Sequence, residues 1–219
     1  MPKIVNHDDR RREIVMAASR VIGSGGLGKA TVREIAREAG CSSGTLAHYF
    51  TNLEDILASC LVMAHRGVRA RTDVKVEGMR GLDALRVLLI EALPIDDERL
   101  LEAKIEVSFW GAAVGNDLLR STQNEEVDVF HSRMRRHLQR AQEDGELRAP
   151  LDLDVAVDEC RMLIDSLSVQ AVMRLTPIDA DKMVAYADAL LDRLRPPSTG
   201  ANDRSKKPQT VGRRRGLSH

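Results

Sequence analysis

The sequence predicts an all-α fold of about nine helices, and three features carry the prediction. Apolar residues recur with the helical period along most of the 219 residues, and the strict alternation that marks a strand is nearly absent. Capping residues and glycine or proline breakers separate those periodic stretches. Hydrophobic residues make up 43% of the chain, enough to fill a core, yet no apolar run approaches the length of a membrane span.

Each helix follows from its own signals. Ile14, Ala17, Ala18, Val21 and Ile22 line one face of the first, which the glycines from Gly23 to Gly28 are expected to stop. Thr31-Val32-Arg33-Glu34 reads as a capping box: Thr31 accepts from the backbone three residues on and Glu34 reaches back. The short helix it opens carries Ile35, Ala36 and Ala39 and ends at Gly40; Ser42 caps the next, through about Tyr49. Asn52 caps a longer helix over roughly 53–71, with Ile56, Leu57, Cys60, Leu61 and Ala64 on one face, and residues 73–81 form a connection. Leu82, Leu85, Leu89 and Leu93 mark a helix ending near Pro94. Asp96 or Asp97 starts another, through about Val114, and a long helix spans about 117–143. Asp152 caps a helix through about Leu175. Asp179 caps the last, whose Met183, Tyr186, Ala187, Leu190, Leu191 and Leu194 form a broad apolar stripe. From Pro196 the chain is polar and basic and reads as a disordered tail.

Net charge is zero, but its distribution is uneven. Residues 1–50 hold eight Lys or Arg against five Asp or Glu, residues 51–195 nineteen against twenty-seven, and residues 196–219 six against one. A basic first segment on an acidic body suits a protein that offers one end to a polyanion. The first residues have neither the apolar stretch nor the cleavage site of a secretory signal, so a cytoplasmic location is expected. Cys41, Cys60 and Cys160 are too scattered for a disulfide framework or a zinc site and are expected to be buried small hydrophobes. Asp128 and His131 have the spacing of a di-iron ligand pair, but the chain has no Glu-x-x-His element. Phosphate loops, dinucleotide fingerprints and nucleophile elbows are missing too. No catalysis, cofactor or metal is therefore expected.

The most informative stretch is TVREIAREAGCSSGTLAHYFTNLEDI, Thr31 to Ile56. Two short helices joined through Gly40-Cys41 make a helix-turn-helix, whose second helix enters the DNA major groove. Leu46 and Phe50 face the core, while Ser43, Gly44, Thr45 and His48 point outward. Small polar residues and a glycine let the helix approach base edges, and its N-terminus with the Ser42 cap favours a phosphate. Arg10, Arg11, Arg12, Lys29 and Arg33 are read as the accompanying positive charge.

This stretch resembles the DNA-binding domain of the TetR family of repressors. The resemblance runs from Arg10 to Ile56 and rests on the Thr31–Ala36 run, the Ala39-Gly40 turn, Ser43-Gly44-Thr45-Leu46, and His48-Tyr49-Phe50 followed by Asn52 and Glu54-Asp55. Ala47-His48-Tyr49-Phe50 is closer to the branch typified by the BetI repressor, since most members carry an aromatic at the position of Ala47. Members often have a phosphate-contacting lysine where Leu53 stands; here Tyr49, Asn52 and Lys29 are expected to take over backbone contact. The resemblance implies a homodimer that binds a palindromic operator in double-stranded DNA and is released by a small-molecule effector. The expected DNA contacts are Lys29, Thr31, Arg33, Ser42, Ser43, Gly44, Thr45, His48, Tyr49 and Asn52. The expected division is a headpiece over 1–52, a ligand-binding and dimerisation domain over 53–195, and the tail over 196–219.

Beyond residue 60 the resemblance weakens. Leu88, Leu89, Phe109, Trp110, Met134, His137, Met162 and Leu163 are the candidate effector contacts, chosen as apolar, aromatic or imidazole side chains on the inner helices. Asp165-Ser166-Leu167 followed by the terminal amphipathic helix resembles the family's dimer-forming pair. That gives Leu167, Met183, Tyr186, Leu190, Leu191 and Leu194 as candidate interface residues. The alternative function is a constitutive or architectural DNA-binding protein whose helical body only dimerises.

Overall fold

The computed structural model describes residues 7–175 and 177–197. The tail expected over 196–219 lies outside them from residue 198 on. The described residues are all-α, with nine α-helices and no strand. They are α1 (His7–Gly25), α2 (Val32–Glu38), α3 (Ser43–Leu46), α4 (Leu53–Lys75), α5 (Gly81–Ala92), α6 (Asp97–Ala113), α7 (Asp117–Glu143), α8 (Leu153–Met173) and α9 (Ala180–Leu194), with a short 3₁₀ turn at Leu27–Lys29.

Caps set most of these boundaries. Thr31, Ser42, Asn52, Asp96, Asn116, Asp152 and Asp179 each accept a backbone N–H in the first turn of the following helix. The capping box at α2 is only half formed. The Thr31 N–H is already taken by the Lys29 carbonyl at 2.9 Å. Glu34 turns instead to Arg37, a charged donor within its own helix. The first helix also runs past Gly23 to Gly25. A Cβ on Gly23 would sit 2.3 Å from Leu101 Cδ1, so the glycine serves the approach of α6 rather than a helix stop. Lys104 on α6 donates to the Gly23 carbonyl at 3.1 Å across the same contact.

Two apolar clusters fill the protein. One joins α5, α7, α8 and α9 through residues such as Leu85, Leu89, Met134, Ile164 and Leu190. The other joins α1, α2 and α3 to α4 and to Ile105, Phe109 and Ala113 of α6. The boundary expected after residue 52 is therefore no break in packing. Between the clusters, a charged knot ties α4, α5 and α6. Glu91 is 2% exposed and accepts from Arg99, Arg71 and Lys75, and Arg71 also grips Glu102 at 2.6 and 2.8 Å. Cys60 and Cys160 are buried, and burial pushes both thiols up to about 12, so they behave as apolar filler. Cys41 departs from that expectation and is half-buried in the turn before α3.

The expected dimer residues need correcting. Leu167, Met183, Leu190, Leu191 and Leu194 are all within the first cluster, no more than 4% exposed, because the α9 stripe closes the protomer's own core against α5 and α8. Of that set only Tyr186 faces outward. Leu190→Asp should therefore unfold the chain rather than yield folded monomers, since it puts an unpaired charge into a dry core at a cost of several kcal/mol. Circular dichroism and sedimentation check this; a variant with wild-type helicity would contradict the assignment of the stripe to the core.

Candidate nucleic-acid interface and internal cavity

The headpiece presents one polar surface. Leu46 is 2% and Phe50 5% exposed, which fixes α3 and the turns after it on the core. Ser42, Ser43, Gly44 and His48 are exposed, and Thr45 and Tyr49 partly so. Lys29, Thr31 and Arg33 are exposed too, and among the described residues the side chains of Lys29 and Arg33 make no hydrogen bond or ion pair. Ser42 Oγ accepts the Thr45 N–H at 3.0 Å and shares a second hydrogen bond with Thr45 Oγ1 at 2.9 Å. Asn52 spends its Oδ1 on the Asp55 N–H at 2.8 Å, which leaves its amide nitrogen for an outside partner. Of the ten expected DNA contacts, eight are exposed and Thr45 and Tyr49 are half-buried.

Arg10 and Arg11 have another job. Arg11 donates to the Tyr49 carbonyl, to Asp55 Oδ1 at 2.9 Å and to Ser59 Oγ at 3.1 Å, and its guanidinium lies 4.1 Å over the Phe50 ring. It welds the end of the recognition segment to the start of α4. Arg10 pairs with Glu13 and reaches the Ala39 carbonyl. A sequence signal exists: Arg10 and Arg11 lie one turn before Ile14 and Val15, at the head of the inward stripe. His7 adds a ring contact to Tyr49, 4.7 Å between centroids.

Two glycines behave oppositely. Gly40 has φ +63°, which the turn between α2 and α3 requires. A Cβ on Gly44 would meet only Ser42 Oγ, at an ordinary 3.6 Å, so nothing within the protein demands a glycine there.

The second site is a partly open cavity of about 70 Å³ among α4, α5, α6, α7 and α8. Ala64, Val68, Ala92, Ala103, Phe130 and Ile164 supply apolar walls, while His65, Arg69, Glu102, Glu106, Arg161, Asp165 and Ser168 supply polar ones. Glu106 is its hub. It accepts from His65 Nε2 at 2.9 Å, Gln123 at 2.6 Å, Trp110 Nε1 at 3.2 Å and Arg161 at 3.4 Å. Burial opposes its charge, but His65, Gln123 and Arg161 outweigh burial and hold the carboxyl at about 2, below its ordinary 4.5. Asp165, paired with Arg161 at 2.7 Å, is pushed the other way by burial.

None of the expected effector contacts lines this cavity. Leu88, Leu89 and Met134 are inside the first apolar cluster, with Leu163 packed against it, and Phe109 is in the headpiece cluster. Met162 is 66% exposed on the outside of α8. His137 lies on another side of α7, in a separate groove. Trp110 comes nearest, through its bond to Glu106. Large apolar side chains are consumed by the packed interior, and the polar lining is drawn together from helices distant in sequence, with no local signal.

An all-helical body carrying a headpiece with a short, exposed, polar recognition segment defines a helix-turn-helix DNA-binding regulator. The tetR family of bacterial regulatory proteins matches residues 14–60, and the C-terminal domain of BetI-type transcriptional repressors matches residues 82–196. The chain belongs to the TetR family, which is one of transcriptional regulators rather than enzymes. It is 28% identical to the HTH-type transcriptional regulator PksA of Bacillus subtilis, over 84% of this chain and 88% of that protein. It is 24% identical to BetI of Burkholderia ambifaria, over 89% of this chain and 98% of that one. A transcriptional regulator of Saccharomonospora viridis, solved in complex with choline, has a TM-score of 0.78 at 22% identity, covering 84% of this chain and 96% of its own. Family regulators bind DNA and small molecules and are dimers. Among the described residues no helix is long and apolar enough to cross a membrane.

Two predictions follow from the geometry. Gly44→Ala should keep the melting temperature and helicity of the wild type yet weaken DNA binding at least tenfold, because the methyl group intrudes only on a docked duplex. Unchanged affinity would show that the backbone at Gly44 does not approach DNA. The depressed Glu106 carboxyl makes the second. Its stabilisation is present above its unfolded value near pH 4.5 and is lost as pH falls towards about 2, on the order of 3 kcal/mol. Acid melting curves should therefore fall more steeply in wild type than in Glu106→Gln over that window; parallel curves would refute the charged hub.

Proposed function

We propose that the chain is a ligand-responsive repressor that binds a palindromic operator as a homodimer in the cytoplasm and is released by a small molecule entering the cavity. One observation supports the reading above the others: the headpiece and the cavity are built on the same two helices. On α4, Ile56, Leu57 and Leu61 are in the headpiece core, and Ala64, His65, Val68 and Arg69 line the cavity one turn further on. On α6, Ile105 and Phe109 belong to the headpiece core, and Glu102, Ala103 and Glu106 to the cavity. The space inside the cavity is small, about 70 Å³. An organic effector that seats among these side chains pushes α4 and α6 apart, and neither helix moves without carrying the headpiece.

In a dimer that movement changes the separation of two recognition segments, which must fit successive major grooves about 34–36 Å apart. Ser43, Gly44, Thr45 and His48 read base edges, and Lys29, Thr31, Arg33, Ser42, Tyr49 and Asn52 hold the backbone. The dimer forms on the outward faces of α8 and α9, where Met162, Met173 and Tyr186 are 66, 59 and 44% exposed. Large apolar side chains on neighbouring helices, left open in the protomer, suit a partner copy.

The test combines operator selection with a ligand screen. Compounds that raise the melting temperature should lower affinity for the selected palindrome, and Ala103→Trp, which crowds the cavity, should abolish the stabilisation. If no stabilising compound alters operator affinity, the constitutive DNA-binding reading stands instead.

A further inference from the structure

A groove of about 580 Å³ runs along the outer side of α7, beside the end of α4, and the cavity does not use it. Asp128, Arg136 and Arg140 lie along it at i, i+8 and i+12 of one helix face, with Arg133 and His137 beside them. Arg133 is engaged by Asp73 at 2.6 Å. The side chains of Asp128, Arg136 and Arg140 make no hydrogen bond or ion pair among the described residues. His137 is 7% exposed, and its Nδ1 is enclosed with no hydrogen-bond partner.

These groups do not satisfy one another. Arg133, Arg136 and Arg140 lie near the buried imidazole, and burial, followed by those three positive charges, lowers its pKa from the ordinary value. Arginines offer donors only. What the basic end lacks is a compact acceptor with several oxygens, and a phosphate has three. At the other end, about 12 Å along the helix axis from Arg136, the free Asp128 carboxylate lacks a donor. We propose that this groove is a second small-molecule site, which takes a soluble phosphate monoester between Arg136 and Arg140, beside the buried His137, and the amine or hydroxyl groups of its far end on Asp128. The site goes beyond the effector reading and does not need it. Val129 lines both the groove and the cavity, so occupancy of one is felt at the wall of the other.

Calorimetry and NMR on the full chain test the proposal, with inorganic phosphate, phosphoethanolamine and glucose 6-phosphate as probes and chloride at matched ionic strength as control. One of the two esters should bind saturably, one per chain, several-fold tighter than inorganic phosphate, and should shift the His137 imidazole signals. Arg136→Gln with Arg140→Gln should cut that affinity at least tenfold at an unchanged melting temperature, because both side chains are exposed and unbonded. Asp128→Asn should remove the advantage of the ester over inorganic phosphate. Binding that does not saturate, or that survives the double substitution, overturns the proposal. So does a double variant that keeps ester binding and loses operator affinity, which would assign the arginines to DNA. Operator release plays no part in these readouts, so their failure is distinct from failure of the effector reading.

Discussion

The headpiece has no core that it could keep for itself. Three helices, two of them short, and the turn after the third supply Ile14, Ile35, Leu46 and Phe50, and the apolar surface they leave open is covered by Ile56, Leu61, Ile105 and Phe109 from α4 and α6. Burying side chains of that size is worth roughly 1.5–3 kcal/mol each. A fragment ending at residue 52 would forgo the share contributed by the later helices. Gly23 against Leu101, and Lys104 on the Gly23 carbonyl, fix α1 to α6 at van der Waals distance. The orientation of the recognition segment is thus a property of α4 and α6.

That constraint gives the polar interior a purpose. Glu91, Arg71 and Glu102 bind α4, α5 and α6 together on one side of the cavity, and Glu106, His65 and Arg161 bind α4, α6 and α8 on the other. Buried ion pairs add little net stability compared with well-packed apolar groups. Their geometry is strict, however, and a guest that takes hydrogen bonds from one member disturbs the rest. A cavity walled by such pairs suits a switch better than one walled by leucine.

Much of this was legible in the sequence because it is local. Caps such as Ser42, Asn52, Asp152 and Asp179 act within three residues, and the helix starts follow from them. The helix-turn-helix and its outward residues were readable for the same reason. What was not legible depends on partners distant in sequence. The α9 stripe announced a broad apolar face but not which surface covers it, and α5 and α8 of the same chain cover it. Phe109 and Trp110 are neighbours in sequence and were both expected at the effector, yet one joins the headpiece core and the other braces Glu106. Arg11 looked like surface charge, and only its fold neighbours, 38 to 48 residues away, show it to be a brace.

The coupling of headpiece and body is most directly tested by native-state hydrogen exchange. If α1, α2 and α3 share one core with α4 and α6, the slowest amides around Ile14, Ile35, Ile56 and Phe109 should exchange through a single opening, with the same free energy and the same denaturant dependence. An opening confined to residues before 53, at markedly lower free energy and with the amides of α6 still protected, would contradict the account.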